Sequence, residues 1–197
     1  MNYGKIKQNI ISLGFAEQSD YDEYEELGYT YDSINRAIRE LQDLFPYKAK
    51  YEFDIDEGDT GVLYIDMADR PGFLGLVDTP VLYEKDGEEM YRKFTEYEIE
   101  MDHIVVIKVD DYDGSFRIYY NKLCTQVDSS TQDDFVPELP LAAHHLIPLL
   151  ASYYLWMDDD ERKAVQYKND FDEALGITMQ KLNKPRAVVE GNKWGDI

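Results

Sequence analysis

Residues 139–157 (LPLAAHHLIPLLASYYLWM) contain no Asp, Glu, Lys or Arg, in a chain where charged residues make up 31%. A helix that is apolar on every side must be surrounded, either by lipid or by other protein elements. Nineteen residues are just enough to span a bilayer. However, this run includes His144, His145, Ser152 and two prolines, and Asp158-Asp159-Asp160 follows directly. The reading is therefore a central helix over Leu141–Met157 buried in protein, with no membrane span. Pro140 suits its first turn, and Pro148 is expected to kink it or delay its start.

A central helix needs flanking helices, and the sequence supplies them at both ends. Ile6, Ile10 and Leu13 form one stripe that Gly14 can terminate. Ile34, Ile38, Leu41 and Phe45 form another, from about Asp32 to Leu44, with Asp32 placed to cap it and Pro46 to end it. After the apolar run, Ala164, Tyr167, Phe171 and Leu175 mark the inner face of a helix from about Asp159, with Gly176 at its end. Between the first two helices, Glu17, Asp20, Asp22, Glu23, Glu25 and Glu26 crowd ten residues, which reads as a solvated loop or short helix.

The period changes in the middle of the chain. Tyr51, Phe53 and Ile55 alternate with polar residues, and Val62 and Tyr64 begin a further extended run. Asp86-Gly87 and Asp113-Gly114 are hairpin-type dipeptides. Ile104–Ile107 lead into the second, and Phe116, Ile118 and Tyr120 follow it in alternation. The expected fold is α+β: a helical bundle formed by the N- and C-terminal helices, an inserted antiparallel β-sheet (a small sandwich or barrel), and an extended C-terminal arm. The divisions are 1–47 (N-terminal helices), 48–128 (β insertion), 129–177 (C-terminal helices) and 178–197 (arm).

Charge limits the partners. With 41 acidic and 20 basic residues the net charge is −21, which excludes binding DNA through a general basic surface. The last twenty residues differ: Lys181, Lys184, Arg186 and Lys193 against Glu190 and Asp196 give +2, leaving −23 on the first 177. A basic arm that also carries Val188, Val189 and Trp194 suits docking on an acidic neighbour. Its bland counterpart is a frayed terminus.

Candidate chemistry is thin. His144 and His145 are adjacent, about a hundred degrees apart on a helix, whereas a helical zinc pair sits at i and i+4. His103 lies near a strand with no evident partner. Asp54, Asp56 and Asp59 resemble the start of a calcium loop, but the sixth and twelfth positions hold Asp59 and Ile65 instead of Gly and Glu. An acidic turn is the better reading. Cys124, the single cysteine, excludes an internal disulfide and fits a reduced, intracellular assembly site. It falls in an apparent strand, where a lone cysteine is buried and inert. No Gly-x-Ser-x-Gly elbow and no phosphate-binding glycine loop is present. The expectation is a protein that is not an enzyme, with no catalytic, cofactor or metal residues.

One combination is familiar. A first helix ending Ile-Ser-Leu-Gly-Phe precedes an acidic connection and a helix reading Ser-Ile-Asn-Arg-Ala-Ile-Arg-Glu-Leu-Gln. Much later comes Leu-Pro-Leu-Ala-Ala-His-His-Leu-Ile-Pro-Leu-Leu-Ala-Ser-Tyr-Tyr-Leu, then Asp-Glu-Arg-Lys-Ala-Val-Gln-Tyr-Lys-Asn-Asp-Phe-Asp-Glu-Ala-Leu. Over about 1–46 and 137–176 this resembles the head-to-tail adaptor (connector, head-completion) proteins of tailed bacteriophages. The β segment departs from the smallest, all-helical members and resembles the β insertions of larger ones.

The resemblance implies a structural virion protein of the neck, assembled in the host cytoplasm. It implies a homo-oligomeric ring of roughly twelve copies between the portal protein and a tail or tail-nozzle protein, with DNA passing through unbound. It also implies an arm that extends along the portal or a neighbouring copy, which here makes Lys184, Arg186, Val188, Val189 and Trp194 the interface candidates, since Arg and Trp dominate buried contacts. An acidic lumen would let DNA slide without sticking. The alternatives are another neck, tail-completion or tail-terminator protein and an acidic DNA-mimic inhibitor. A mimic would array its carboxylates along one elongated face, whereas here they occupy turns and helix ends throughout.

Overall fold

The computed structural model describes residues 1–15, 18–56, 59–85, 90–109 and 112–182. Three helices come first: α1 (Tyr3–Gly14), α2 (Gln18–Glu26) and α3 (Tyr29–Leu44). Seven strands follow: β1 (Lys48–Ile55), β2 (Val62–Asp66), β3 (Phe73–Lys85), β4 (Arg92–Lys93), β5 (Tyr97–Glu100), β6 (Ile104–Lys108) and β7 (Gly114–Lys122). A 3-10 turn (Leu141–Ala143) then leads into α4 (Leu146–Trp156) and α5 (Glu161–Leu182).

The uncharged run is broken into that turn and an eleven-residue helix. Pro148 is the third residue of α4, where a backbone N–H has no intrahelical partner, so the proline delays the helix without kinking it. The helix packs against α1, α3 and α5. Leu146, Ile147, Leu150, Ala151 and Leu155 join Ile6 and Ile10 of α1, Ile34, Ile38 and Leu41 of α3, and Phe171 of α5 in one core. Each large aliphatic side chain buried there contributes about 1.5–3 kcal/mol. No helix among the described residues is long and apolar enough to cross a membrane.

Of the two readings of the acidic segment, the short helix holds: it forms α2, held by one fully buried side chain, Tyr21. Two helix boundaries differ from the sequence reading. First, α3 begins at Tyr29, a turn before the expected Asp32 cap, because Gly28 at φ 81 lets the chain reverse in a two-residue turn, Leu27-Gly28, between α2 and α3. Its N–H donates to the Glu25 carbonyl, and its own carbonyl accepts from the Asp32 N–H. Asp32 instead lies in the first turn, where a carboxylate still suits the helix dipole. Finally, Gly176 does not end α5. The helix continues to Leu182 because Thr178 is buried, bonding the Ala174 carbonyl at 2.8 Å and His145 Nε2 at 3.2 Å. The arm expected from Thr178 therefore begins no earlier than residue 183.

The strands form two open antiparallel sheets rather than a closed barrel, ordered β1-β7-β3-β4 and β2-β6-β5. The Asp113-Gly114 dipeptide is not a hairpin turn. Gly114 does adopt φ 129, but β6 and β7 belong to different sheets, so the chain crosses from one sheet to the other. The physical reason is a shared core: Ile65, Val105 and Ile107 of one sheet and Val81, Phe116 and Ile118 of the other belong to one buried cluster. Phe116 lies at its centre, with ring centroids of Tyr83 at 4.7 Å, Phe94 at 5.1 Å and Phe53 at 5.4 Å. Strands β3 and β4 do pair, Leu82 opposite Lys93, while Asp86-Gly87 lies outside the described residues.

Polar side chains tie the sheet exit to the helices. Asn35 of α3 both donates to the Val127 carbonyl and accepts from its N–H, each at 2.8 Å. Gln42 Oε1 accepts from the Cys124 N–H at 2.7 Å. Glu138 accepts from Thr125 N, Thr125 Oγ1 and Lys122 Nζ at 2.8, 2.9 and 3.1 Å. Burial works against the Glu138 carboxylate, but these donors outweigh it and hold its pKa below the ordinary glutamate value. The irregular segment that follows is anchored as well, since the Tyr3 and Gly4 N–H groups of α1 donate to the Phe135 and Asp133 carbonyls.

Candidate interaction surfaces

Three hollows stand out, and all are acidic or aromatic. The largest, about 800 Å³, lies between α2, α3 and residues 127–129. Its carboxylates are Asp22, Glu25, Glu26, Asp32 and Asp128, and no basic side chain among the described residues lines it. Lys7 reaches Glu25 at 3.5 Å and Asp133 at 2.8 Å. Burial opposes the charge on Lys7, but these carboxylates more than offset it and raise its pKa. Asp128 is committed to its own turn, accepting from the Ser130 hydroxyl and N–H, which lower its pKa.

A second hollow of about 330 Å³ lies between α3 and the end of α4, lined by Tyr24, Tyr29, Arg36, Tyr154 and Asp159 among others. Tyr24 donates to Asp159 at 2.6 Å, and this bond, with burial, pushes its pKa up to about 12. Tyr154 donates to Glu40, and the Arg36 guanidinium sits 3.9 Å over its ring. Beside it, Trp156 packs on Phe15 and Tyr24 with centroids at 5.2 and 5.8 Å, under Lys163 at 3.7 Å. Gly14 makes that packing possible, because a Cβ there would stand 2.5 Å from Trp156 Nε1. The last carbonyls of α1 are met from α5, Leu13 by Tyr167 Oη and Gly14 by Lys163 Nζ at 3.1 Å.

The third surface is the outer face of the β2-β6-β5 sheet, where a hollow of about 540 Å³ is lined by Val62, Tyr64 and Val106 together with Glu96, Glu98 and Glu100. Register places Tyr64 beside Val106 and Val106 beside Glu98. Tyr64 and Val62 are 62% and 52% exposed, so the alternation read in β2 marks an outward apolar face. The inward positions of that strand are Leu63 and Ile65. The glutamate row was readable as strict alternation in Thr95-Glu96-Tyr97-Glu98-Ile99-Glu100, but its position at a sheet edge was not.

The histidines are not gathered into a site. His144 is buried, its Nε2 2.8 Å from the Leu139 carbonyl and its Nδ1 2.7 Å from the Met1 amine, and burial lowers its pKa. His145 faces Thr178, and His103 lies 3.8 Å from Asp66. Asp54 accepts from Ser115 Oγ at 2.6 Å, while the Asp56 N–H donates to the Asp59 carboxylate and the Asp59 N–H to the Asp56 carbonyl, each at 3.1 Å. Among the described residues, no group of three or more His, Cys, Asp or Glu could hold a metal ion. Cys124 is past the end of β7, not in a strand; it is buried in the helical core, which pushes its thiol up to about 11. Lys184, Arg186, Val188, Val189 and Trp194 lie outside the described residues.

The fold is thus a helical core around an uncharged helix, carrying an inserted pair of sheets and a surface with acidic hollows. A family profile described as SU10 adaptor protein matches residues 1–189. The chain belongs to this family of phage head-to-tail adaptors. No curated protein matches the chain.

Proposed function

We propose that the protein assembles as a ring of roughly twelve copies between the portal and the tail, in the neck of the virion, and that DNA passes through its lumen unbound. The family match across residues 1–189 carries this reading, because it takes in all five helices and both sheets together. Charge supports it: −23 on the first 177 residues and a groove of five carboxylates are suited to repelling phosphate. The role is structural rather than catalytic. The protein is assembled in the host cytoplasm, and its C-terminal arm anchors on the portal or on a neighbouring copy through Lys184, Arg186, Val188, Val189 and Trp194.

Native mass spectrometry of the protein with its cognate portal, at moderate salt, tests the proposal. The expected result is a complex with about one copy per portal subunit, as matching rotational symmetry favours. A protein that stays monomeric and ignores the portal refutes the ring and moves the DNA-mimic reading forward.

A further inference from the structure

The edge strand β5 is unlike the other edges of the two sheets. Among the described residues it has a single hydrogen-bonded neighbour, β6, so one side of its backbone is open. A second hollow of about 370 Å³ lies on its other flank, lined by Phe94, Tyr97 and Ile99, with Ile99 44% exposed. The strand is thus flanked by a recess on each side, both of mixed lining: Asp78, Thr79 and Lys93 join the apolar residues on this flank, and the glutamates and Lys108 those on the other.

Its charges are also unbalanced, since Lys108 is the one basic residue lining the hollow that holds three glutamates, among the described residues. On the β1 edge, Glu52 is neutralised by Lys50 at 3.0 Å and Arg117 at 2.5 Å. On the β2 edge, Asp66 accepts from the Ala68 N–H at 2.9 Å and faces His103. Glu96, Glu98 and Glu100 make no such bond among the described residues, and all three are exposed. Charged rows of this kind keep edge strands from pairing indiscriminately. A row of one sign still admits a strand of the opposite sign, because opposite charges across a strand pair stabilise it.

One segment of this chain has that chemistry. The stretches outside the described residues are two to four residues long, except for residues 183–197. Those fifteen residues can extend about 50 Å. Within them, Lys184-Pro185-Arg186-Ala187-Val188-Val189 alternates Lys184 and Arg186 with Pro185 and Ala187, and contains no acid. Proline is tolerated in an added edge strand when its position faces away from the partner.

We propose that residues 184–189 of a neighbouring copy add to the open edge of β5, extending the β2-β6-β5 sheet with Lys184 and Arg186 facing the glutamate row. The proposal rests on the ring reading for the choice of a neighbouring copy, since head-to-tail contact between unlike surfaces is what closes a ring.

Two pools of full-length protein test it, one carrying Ile99→Cys and the other Ala187→Cys, mixed with and without portal and treated with a short bis-maleimide. Cys124 is buried in both pools and stays silent. The expected result is a cross-link between pools well above that of a control pool carrying Leu13→Cys on α1. Arg186→Glu in the arm pool should lower the yield roughly threefold or more, and Glu98→Lys in the other pool should restore it. A yield no higher than the control overturns the proposal. So does a cross-link that forms only within a single chain carrying both cysteines. Portal binding, read separately, keeps the two readings apart: normal binding without the cross-link refutes the added strand alone, and the cross-link without portal binding refutes the adaptor ring.

Discussion

Replacing a glycine by alanine at two positions should change stability in opposite directions. Gly176 lies inside α5, and a Cβ there meets nothing within 4 Å. Gly176→Ala should therefore stabilise the protein by about 0.5–1 kcal/mol through helix propensity and a less flexible unfolded chain. Gly14, at the end of α1, can gain at most the same amount, and its Cβ would lie 2.5 Å from Trp156 Nε1 and 3.1 Å from Cε2. The indole must move by several tenths of an ångström, and it cannot flex as an aliphatic side chain does. Phe15, Tyr24 and Lys163 hold it on the surrounding sides. Overpacking of this kind costs about 1–3 kcal/mol. Because the propensity gain enters both variants, the difference between them should be at least that clash, about 1–3 kcal/mol. Urea unfolding monitored by far-UV circular dichroism measures it, and for a chain of this size each kcal/mol appears as about 2–4 °C in Tm. Equal shifts of the same sign in the two variants would refute the reasoning, since they would mean that Gly14 is not a point of close approach.

Asn35→Ala removes both bonds to the Val127 peptide and leaves a buried N–H and carbonyl unpaired. It should cost about 2–3 kcal/mol in chemical denaturation and speed hydrogen exchange at the Val127 amide. The Cys124 thiol, pushed up to about 11 by burial, should stay unreactive to a thiol reagent at pH 8 until urea unfolds the chain. Because its folded pKa is raised, the stability tied to the neutral thiol is fully present below pH 9 and lost as pH rises from 9 to 11. Replacement of Cys124 by Ala should remove that part of the alkaline loss in a pH series of unfolding curves.

Periodicity made several elements legible. The stripe Ile34, Ile38, Leu41 and Phe45 is buried in full, and so are Phe116, Ile118 and Tyr120, because these patterns repeat within one element and need no knowledge of its partners. What failed to read depended on distant groups. The choice between loop and short helix at α2 stayed open in sequence because its one buried anchor among the described side chains, Tyr21, is too little for a stripe. Gly176 looked like a stop because its neighbours in sequence allow one, yet Thr178 docking on His145 carries the helix onward. The split into two sheets was hidden for a related reason. Val105, Ile107, Phe116 and Ile118 alternate in the same way whether their strands pair side by side or face each other across a core. The acidic groove draws on residues from Asp22 to Ser129, a juxtaposition no local spacing contains.

The entry and exit of the β region lie side by side: the Lys122 N–H donates to the Tyr47 carbonyl at 2.9 Å. Seventy-odd residues of sheet thus leave and rejoin the helical body at one place, beside the ties from Asn35, Gln42 and Glu138. A chain closed at its base adds little closure entropy when the loop beyond grows or shrinks. Strands can therefore be lengthened, trimmed or exchanged by descent without asking α1, α3 or α4 to repack. The architecture leaves the sheets free to vary while the helices that carry them keep one packing.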